Sequence, residues 1–508
     1  MHQSHNPTSK CVFNTLVMLA KQEILSRRSP SRKQNKYLCT MNKLADQATI
    51  CAISTAPGMG AIALIRVSGS ESISIVNQLF SKDLNRAESH SASFGLIQKD
   101  GKTIDEVVAV IFKGPNSFTG EDTIELNCHG SVFIQQEILS LLLAHGCRLA
   151  EPGEFTLRGF MNGKMDLSQA EAVADLIASE SEGAHALAMH QMRGGFSKDI
   201  GILRDKLIHF ASMIELELDF AEEDVEFANR DHLENLILEI QGVLSRLINS
   251  FATGNVIKNG VPVAILGAPN RGKSTLLNAL LNEERAIVSA IAGTTRDTIE
   301  DEINIDGIQF RFIDTAGLRE TADEIEHEGI NRAMIKARAA KSILFLLDCQ
   351  SLSDWPDEVD TFLNQLSAVS IPVSLVANKV DQHSGDWQEI QVALDQIVNK
   401  NAQVKSGIVI SALEKTNIEA LKKMLFDQVN LGNINTSSTI VTNVRHFEAL
   451  NNAQGSLTEV LTGLKNGITG DFLAIDIRQS LHHLGSITGE ITSDDLLGNI
   501  FGKFCIGK

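Results

Sequence analysis

The sequence predicts a protein of mixed α/β and α class, laid out in the order α/β, helical, α/β, helical. Three observations predict it. Between residues 46 and 150, short apolar runs alternate with turns and one helical segment. From Asp166 to Phe251 the apolar residues recur at helical spacing. From Val261 apolar strands alternate with helical segments, the pattern of a doubly wound, mostly parallel sheet. After about residue 430 the chain is helical again, with few Gly or Pro.

Composition limits the function classes. The 508 residues are 43% hydrophobic and 21% charged, an ordinary globular balance with length for about three domains. No apolar run approaches the roughly 20 residues of a membrane helix, so a membrane, fibrous or disordered protein is excluded. The net charge of −18 argues against a surface that grips nucleic acid on its own, so such contact falls to a local patch or a partner. The seven cysteines are widely spaced, without a Cys-x-x-Cys pair. That disfavours a disulfide framework or structural zinc and fits a reducing compartment.

Residues 1–40 stand apart. Lys10, Lys21, Arg27, Arg28, Arg32, Lys33 and Lys36 face one acid, Glu23. This leader reads as a translation start placed upstream of Met41, giving a cytoplasmic protein, or as a mitochondrial transit peptide. Beyond it, strands are expected at 62–67, after the turn Pro57-Gly58-Met59-Gly60, and at 107–112 and 123–127, with a helix at 132–144. Asp166-Leu167-Ser168-Gln169 reads as a capping box opening a helix. The acidic stretch 219–231 reads as a solvated face. Strands follow at 263–266, 343–347, 373–377 and 407–410. Asp306-Gly307 joins the alternating runs 300–305 and 308–313 in a type I′ hairpin.

Gly267-Ala268-Pro269-Asn270-Arg271-Gly272-Lys273-Ser274 fits the phosphate loop G-x-x-x-x-G-K-[ST]. It follows a strand and opens a helix at Thr275, the context the motif needs. Backbone N–H groups would cradle phosphates, Lys273 would neutralise β/γ charge and Ser274 would meet Mg²⁺. Four further segments follow in the order of a GTPase. Gly293, Thr294 and Thr295 precede a strand, and Thr295 would complete the Mg²⁺ shell. Asp314, Thr315, Ala316 and Gly317 end the hairpin strand. Asn378, Lys379, Val380 and Asp381 follow another strand, and Asp381 would accept the paired donors of guanine that adenine lacks. Ser411, Ala412 and Leu413 would meet guanine O6. Leu318 stands where Ras-like enzymes place a water-orienting glutamine. The residues leave that role open among Glu320, Asp323, Glu324, Glu326 and Glu328. Arg296 and Arg319 are candidate arginine fingers, and Cys505 is a thiol near the terminus.

The whole combination resembles the MnmE (TrmE) family of tRNA uridine-modification GTPases, from about residue 46 to Lys508. The carrying stretches are residues 55–69 with Arg66, GPNSFTGEDTIELNCHG at 114–130, PGEFTLRGFMNGKMDLSQAEAVADLIA at 152–178, the five GTPase motifs and the tail ITSDDLLGNIFGKFCIGK. The resemblance implies an N-terminal α/β domain at 41–160 that dimerises and binds a tetrahydrofolate derivative, 5,10-methylene-tetrahydrofolate. It implies a helical domain in two parts, 161–257 and 429–508, with a Ras-like P-loop GTPase domain inserted at 258–428. Arg66, Glu125, Lys164 and Lys508 match folate-contacting positions, and Cys505 matches a thiol needed for modification. K⁺ would take the place of an arginine finger, held by the Asn270 side chain, by Ser289 and Ile291 within a loop running through Ala290 and Ala292, and by Thr294. Glu326 matches the residue that orients the attacking water. The resemblance also implies a homodimer and a heterotetrameric complex with FAD-carrying MnmG. Together they would place an aminomethyl or carboxymethylaminomethyl group on C5 of the wobble uridine of certain tRNAs. A regulatory GTPase that binds RNA or ribosomal particles without covalent chemistry is the competing expectation.

Overall fold

The computed structural model describes residues 48–219, 230–282, 301–313, 337–338, 340–366, 371–383, 385–429 and 439–507. Two compact units divide the chain: Met1–Phe155 with Ser493–Lys508, and Thr156–Thr492.

The first unit is built on a six-stranded sheet. Its strands are β1 (Ile50–Ile53), β2 (Ile62–Ser68), β3 (Ser91–Lys99), β4 (Lys102–Phe112), β5 (Thr123–His129) and β6 (Arg148–Leu149), in the order β3-β4-β5-β2-β1-β6. All pairs are antiparallel except β1 with β6. Successive side chains point to opposite faces. Ile65, Val67, Val107, Ala109, Ile111, Ile124 and Leu126 therefore share one face, where Ile75, Val76, Leu79, Ile138 and Leu142 cover them. The last five come from helices α1 (Ser72–Leu79) and α2 (Val132–Ala144). Arg66, Glu125 and Val108 project from the other face. β1 and β3 were not expected. β3, SASFGLIQK, is a part-exposed edge strand whose apolar residues are interrupted by Ser and Gly, so no apolar run announced it.

The second unit holds the helical block. Its helices are α4 (Leu167–Ile177), α5 (Glu182–Met192), α6 (Gly195–Asp219), α7 (Arg230–Asn259), α12 (Val444–Lys465) and α13 (Gly470–Thr488), with α3 (Glu154–Met161) leading in from the first unit. Asp166 caps α4 as expected, with the reciprocal Gln169 bond in place. One core joins residues from both sides of the α/β insertion: Leu203, Leu207, Phe210 and Leu244 with Leu450, Leu457, Val460, Ile477 and Leu484. The two helical stretches thus pack together, a point the sequence left open. Truncating a fully buried member such as Leu457 to Ala would cost about 2–5 kcal/mol.

A polar clasp reinforces the same join. Arg445 on α12 makes a forked pair with Glu171 on α4, Nε–Oε1 2.9 Å and NH2–Oε2 2.7 Å, and donates to Ser486 O at the end of α13. His446 Nε2 lies 2.7 Å from the same Glu171 oxygen. Burial works against the Glu171 charge, but the hydrogen bonds from His446 and Arg445, with the Arg445 charge, outweigh it and hold its pKa below the ordinary carboxylate value. Burial pushes the His446 imidazole down, against the pull of Glu171. With the Arg445 guanidinium at the same atoms and the ring fully enclosed, the neutral imidazole is the physically cheaper form, leaving Arg445 as the counter-charge.

Within the second unit, residues 261–428 form the doubly wound part. Its sheet order is β12-β11-β10-β7-β9-β8, from β7 (Val261–Leu266), β8 (Asp301–Ile305), β9 (Ile308–Phe312), β10 (Ser342–Asp348), β11 (Val373–Asn378) and β12 (Val404–Val409). Every pair is parallel except the β8–β9 hairpin. Asp306 (φ 48°) and Gly307 (φ 81°) give it the expected I′ geometry. Helices α8 (Lys273–Asn282), α9 (Trp355–Gln365), α10 (Trp387–Lys400) and α11 (Ile418–Gln428) cover the sheet, Leu276 and Leu421 on one side, Trp355 and Leu394 on the other. β10 and β11 are buried throughout, as central parallel strands covered on both faces must be. Among the described residues no helix is long and apolar enough to cross a membrane.

Candidate functional site

The phosphate loop leaves β7 at Gly267 and enters α8 at Lys273. Its glycines are dictated by space. Gly267 has φ +144°, and a Cβ there would meet Leu346 O at 2.6 Å. Gly272 has φ +89°, and a Cβ would meet Asn378 Nδ2 at 2.3 Å. The loop can approach β10 and β11 only without side chains at these points. Asn270 also holds a left-handed conformation, φ 63°. The Lys273 ammonium donates to Gly267 O and Ala268 O, both 2.9 Å, and so lies over the loop.

Because β7, β10, β11 and β12 run parallel, the loops after them emerge at one edge. Asn378 ends β11, is 2% exposed, and joins two of these loops. Its Nδ2 donates to Arg271 O at 2.9 Å, and its Oδ1 accepts from Ala412 N at 3.0 Å. Asp381 follows in a short turn, where the Ser411 hydroxyl donates to its Oδ1 at 2.5 Å. The phosphate loop, 378–381 and 411–413 are therefore brought together at this edge. Lys379, φ 67°, donates to Asp348 Oδ2 at 2.8 Å. The other expected members, Ser289, Ala290, Ile291, Ala292, Gly293, Thr294, Thr295, Asp314, Thr315, Ala316, Gly317 and Glu326, lie outside the described residues.

Sequence reasoning missed the support behind this loop. Arg271 NH1 donates to Ser351 Oγ at 2.9 Å, and NH2 to Glu358 Oε2 at 3.1 Å; Asp348 Oδ2 is 3.5 Å from NH1. Burial works to raise the Asp348 carboxyl. The hydrogen bonds from Lys379 and the Gln350 N–H, with the charges of Lys379 and Arg271, outweigh it and hold its pKa below the ordinary carboxylate value. Asp348 thus ties the phosphate loop to the 378–381 loop. Its one signal in the sequence is its place, the last residue of a buried strand.

The second candidate set centres on Arg66 and Glu125, paired across β2 and β5. Arg66 Nε and NH2 both donate to Glu125 Oε1, at 3.0 and 2.7 Å. The guanidinium lies 5.6 Å from the Phe118 ring and 5.5 Å from the Phe155 ring. Cation–π contact and the ion pair both favour this arrangement, which also serves as an ordinary cross-strand pair. Lys164 belongs to the second unit, and Lys508 lies outside the described residues.

The tail packs within the first unit. Helix α14 (Asp494–Phe501), capped by Ser493, buries Leu497 and Phe501. Gly153 N donates to Cys505 O at 3.4 Å, and the Ser54 hydroxyl to Gly507 O at 3.1 Å. A Cβ on Gly153 would meet Phe501 O at 2.6 Å, and one on Gly507 would meet Ile53 O at 2.5 Å. Those close approaches were the overlooked signal. Cys505 is exposed, whereas Cys51, Cys128, Cys147 and Cys349 are buried. Burial raises the Cys128 and Cys349 thiols to about 11 and about 12, which suits inert packing.

Comparison with known proteins divides the chain near residue 165. The family described as GTP-binding protein TrmE N-terminus matches residues 49–164, and the MnmE helical domain family matches 167–505. The tRNA modification GTPase MnmE of Christiangramia forsetii is 53% identical over 91% of this chain and 99% of its own length. That of Cytophaga hutchinsonii is 52% identical over 91% and 98%, and that of Bacteroides thetaiotaomicron 51% identical over 91% and 100%. A solved structure of Era from Aquifex aeolicus covers 39% of this chain and 66% of its own at 29% identity, with a TM-score of 0.27, too low to bear on the arrangement. With both family models matched along almost all of residues 49–505, and relatives half identical from end to end, the chain belongs to the MnmE family of tRNA modification GTPases.

Proposed function

We propose that this chain binds and hydrolyses GTP and uses that cycle to modify C5 of the wobble uridine of certain tRNAs. The observation that carries the reading is Asn378, whose amide joins the phosphate loop to the 411–413 loop and leaves Asp381 beside Ser411 at the base position. A carboxylate there suits the N1–H and exocyclic amine of guanine, a donor pair that adenine does not offer.

Ser274 and Thr295 would hold Mg²⁺; Asn270, Ser289, Ile291 and Thr294 would hold K⁺. The Gly272 cradle, closed to any Cβ, fits a phosphate chain against the backbone. Bound cations there would neutralise charge that develops on the β/γ-phosphates. Glu326 would orient the attacking water through a second water. Arg66 and Glu125, with Lys164 and Lys508, would bind 5,10-methylene-tetrahydrofolate, the carboxylate meeting the pterin donors and the cations the glutamate tail. Cys505 would serve the modification chemistry from the docked tail. The assembly would be a homodimer joined to FAD-carrying MnmG in a cytoplasmic complex, the partner supplying most of the grip on tRNA. Domain limits of 41–160, 161–257, 258–428 and 429–508 accompany this reading, with 1–40 a leader.

Mass spectrometry of wobble uridines in tRNA from a strain lacking the protein tests it. Wild type restores the C5 substituent, whereas Asp381→Asn and Cys505→Ser do not. Failure of folded wild type to restore it, with MnmG present, would return the chain to a regulatory GTPase. Faster GTP hydrolysis in K⁺ than in Na⁺ is expected, and equal rates would remove the K⁺ assignment.

A further inference from the structure

The β8–β9 hairpin occupies a special place in the chain. By sequence it joins two of the expected GTPase segments, 293–297 before β8, where Thr295 would complete the Mg²⁺ shell, and 314–317 after β9, and we read both as nucleotide-sensing. Its tip touches no part of the nucleotide site described above. It lies instead on the helical block. The Gly183 N–H, in the first turn of α5, donates to Gly307 O at the hairpin tip, 3.0 Å. A Cβ on Gly183 would meet both Gly307 O and Ile257 Cγ2 at 3.0 Å, so the glycine permits the contact. Beside it, Gln309 Nε2 on β9 donates to Glu180 Oε2, just ahead of α5, and to Glu302 Oε2 on β8, both 2.7 Å.

This contact borders a cavity of about 730 Å³, lined among others by Glu180, Ala184, Lys258, Glu302, Gln309 and Arg311. On its helical side Lys258 of α7 donates to Asp175 of α4 at 2.7 Å, which fixes those helices to each other. The hairpin thus meets a braced helical surface through a few bonds at its tip, with open volume alongside. The hairpin, whose β9 is also paired with β7, thus connects the two expected nucleotide segments along the chain to a contact on α5.

We propose that the β8–β9 hairpin is the relay between the nucleotide site and the helical domain, with Gly183 and Gln309 the positioning residues that engage it. The proposal rests on the reading of 293–297 and 314–317 as nucleotide-sensing segments. Coupling of this kind is reciprocal: if the nucleotide shifts the tip contact, the tip contact shifts nucleotide preference.

Hydrogen exchange on the full chain, with GDP and with a non-hydrolysable GTP analogue, tests the relay. Peptides from 267–276 report nucleotide binding, and peptides from 182–192 report α5. In wild type both differ between the two nucleotides. In Gly183→Ala with Gln309→Leu the α5 difference disappears, while that at 267–276 persists and GTP hydrolysis stays within about threefold. Alanine is the better helix former at 183, so loss of the α5 response there does not come from a weakened helix; Gln309→Leu alone, which leaves the helix untouched, is expected to reduce the α5 difference at least twofold. An α5 difference of wild-type size in the double variant overturns the proposal. So does a wild type that responds at 267–276 and not at α5. A wild type silent at both defeats the nucleotide reading itself, and the relay with it.

Discussion

The two six-stranded sheets of this chain carry their candidate functional residues in different places, for a topological reason. In the parallel sheet the strands β7, β10, β11 and β12 end along one edge, so the loops after them converge. The site is made of loops, and each loop is a contiguous run of sequence. In the antiparallel sheet strand ends are shared between two edges, and chemistry falls to a face. Arg66 and Glu125 project from the middles of β2 and β5, and register alone brings them together. A parallel sheet writes its site into motifs. An antiparallel sheet writes it into alternate residues that share no motif.

The comparison implies that the two sites can be broken separately. Gly272→Val should have the largest effect, since its side chain would occupy the position of Asn378 Nδ2 at a positive φ. GTP affinity should fall at least about 1,000-fold, roughly 4 kcal/mol, with folate binding intact by calorimetric titration. Loss of both ligands together would show the sites to be interdependent. Asp381→Asn should weaken GTP about 100-fold, because only the carboxylate accepts both guanine donors. A change below about fivefold in nucleotide displacement would remove Asp381 from base recognition. Arg66→Ala should abolish folate binding, leave GTP hydrolysis as it was, and cost the first unit about 1–2 kcal/mol, since Glu125 loses a half-buried partner. Urea unfolding followed by probes in each unit would locate that loss.

The smallest effect concerns pH. The Asp348 carboxyl is held below its ordinary pKa, so its stabilising contribution is complete above the unfolded value, near ~3.9. It is lost as pH falls through the lower native value. The urea stability gap between wild type and Asp348→Asn should be flat from pH 8 to about 5 and narrow on further acidification. A gap that widens in acid would reverse this sign.

The same contrast explains what was legible in the sequence. The phosphate loop, 378–381 and 411–413 could be read because spacing within a loop is spacing in sequence, and the Asp306-Gly307 turn because two positive φ angles call for those residues. The support behind the loop could not. Arg271 meets Glu358 across 87 positions and Ser351 across 80, and no local pattern marks an arginine that will be tied down by a later helix. β3 escaped because an edge strand with half its residues in solvent needs no apolar alternation. In the first unit, the choice of Arg66 and Glu125 came from a family likeness and their pairing from the register of β2 and β5; their own neighbours in sequence suggest only two strand residues.

The docked tail has a consequence for biosynthesis. The first unit is assembled from residues up to Phe155 and from Ser493 onward, with the whole second unit encoded between them. A ribosome therefore completes the sheet carrying Arg66 and Glu125 hundreds of codons before it delivers α14 and Cys505, the pieces that seat against Gly153 and Ser54. The intervening unit has time to fold first. A chain stopped within the second unit would display a sheet without its last helix. The first unit therefore reaches its final form only after residues 493–507 have been made and seated.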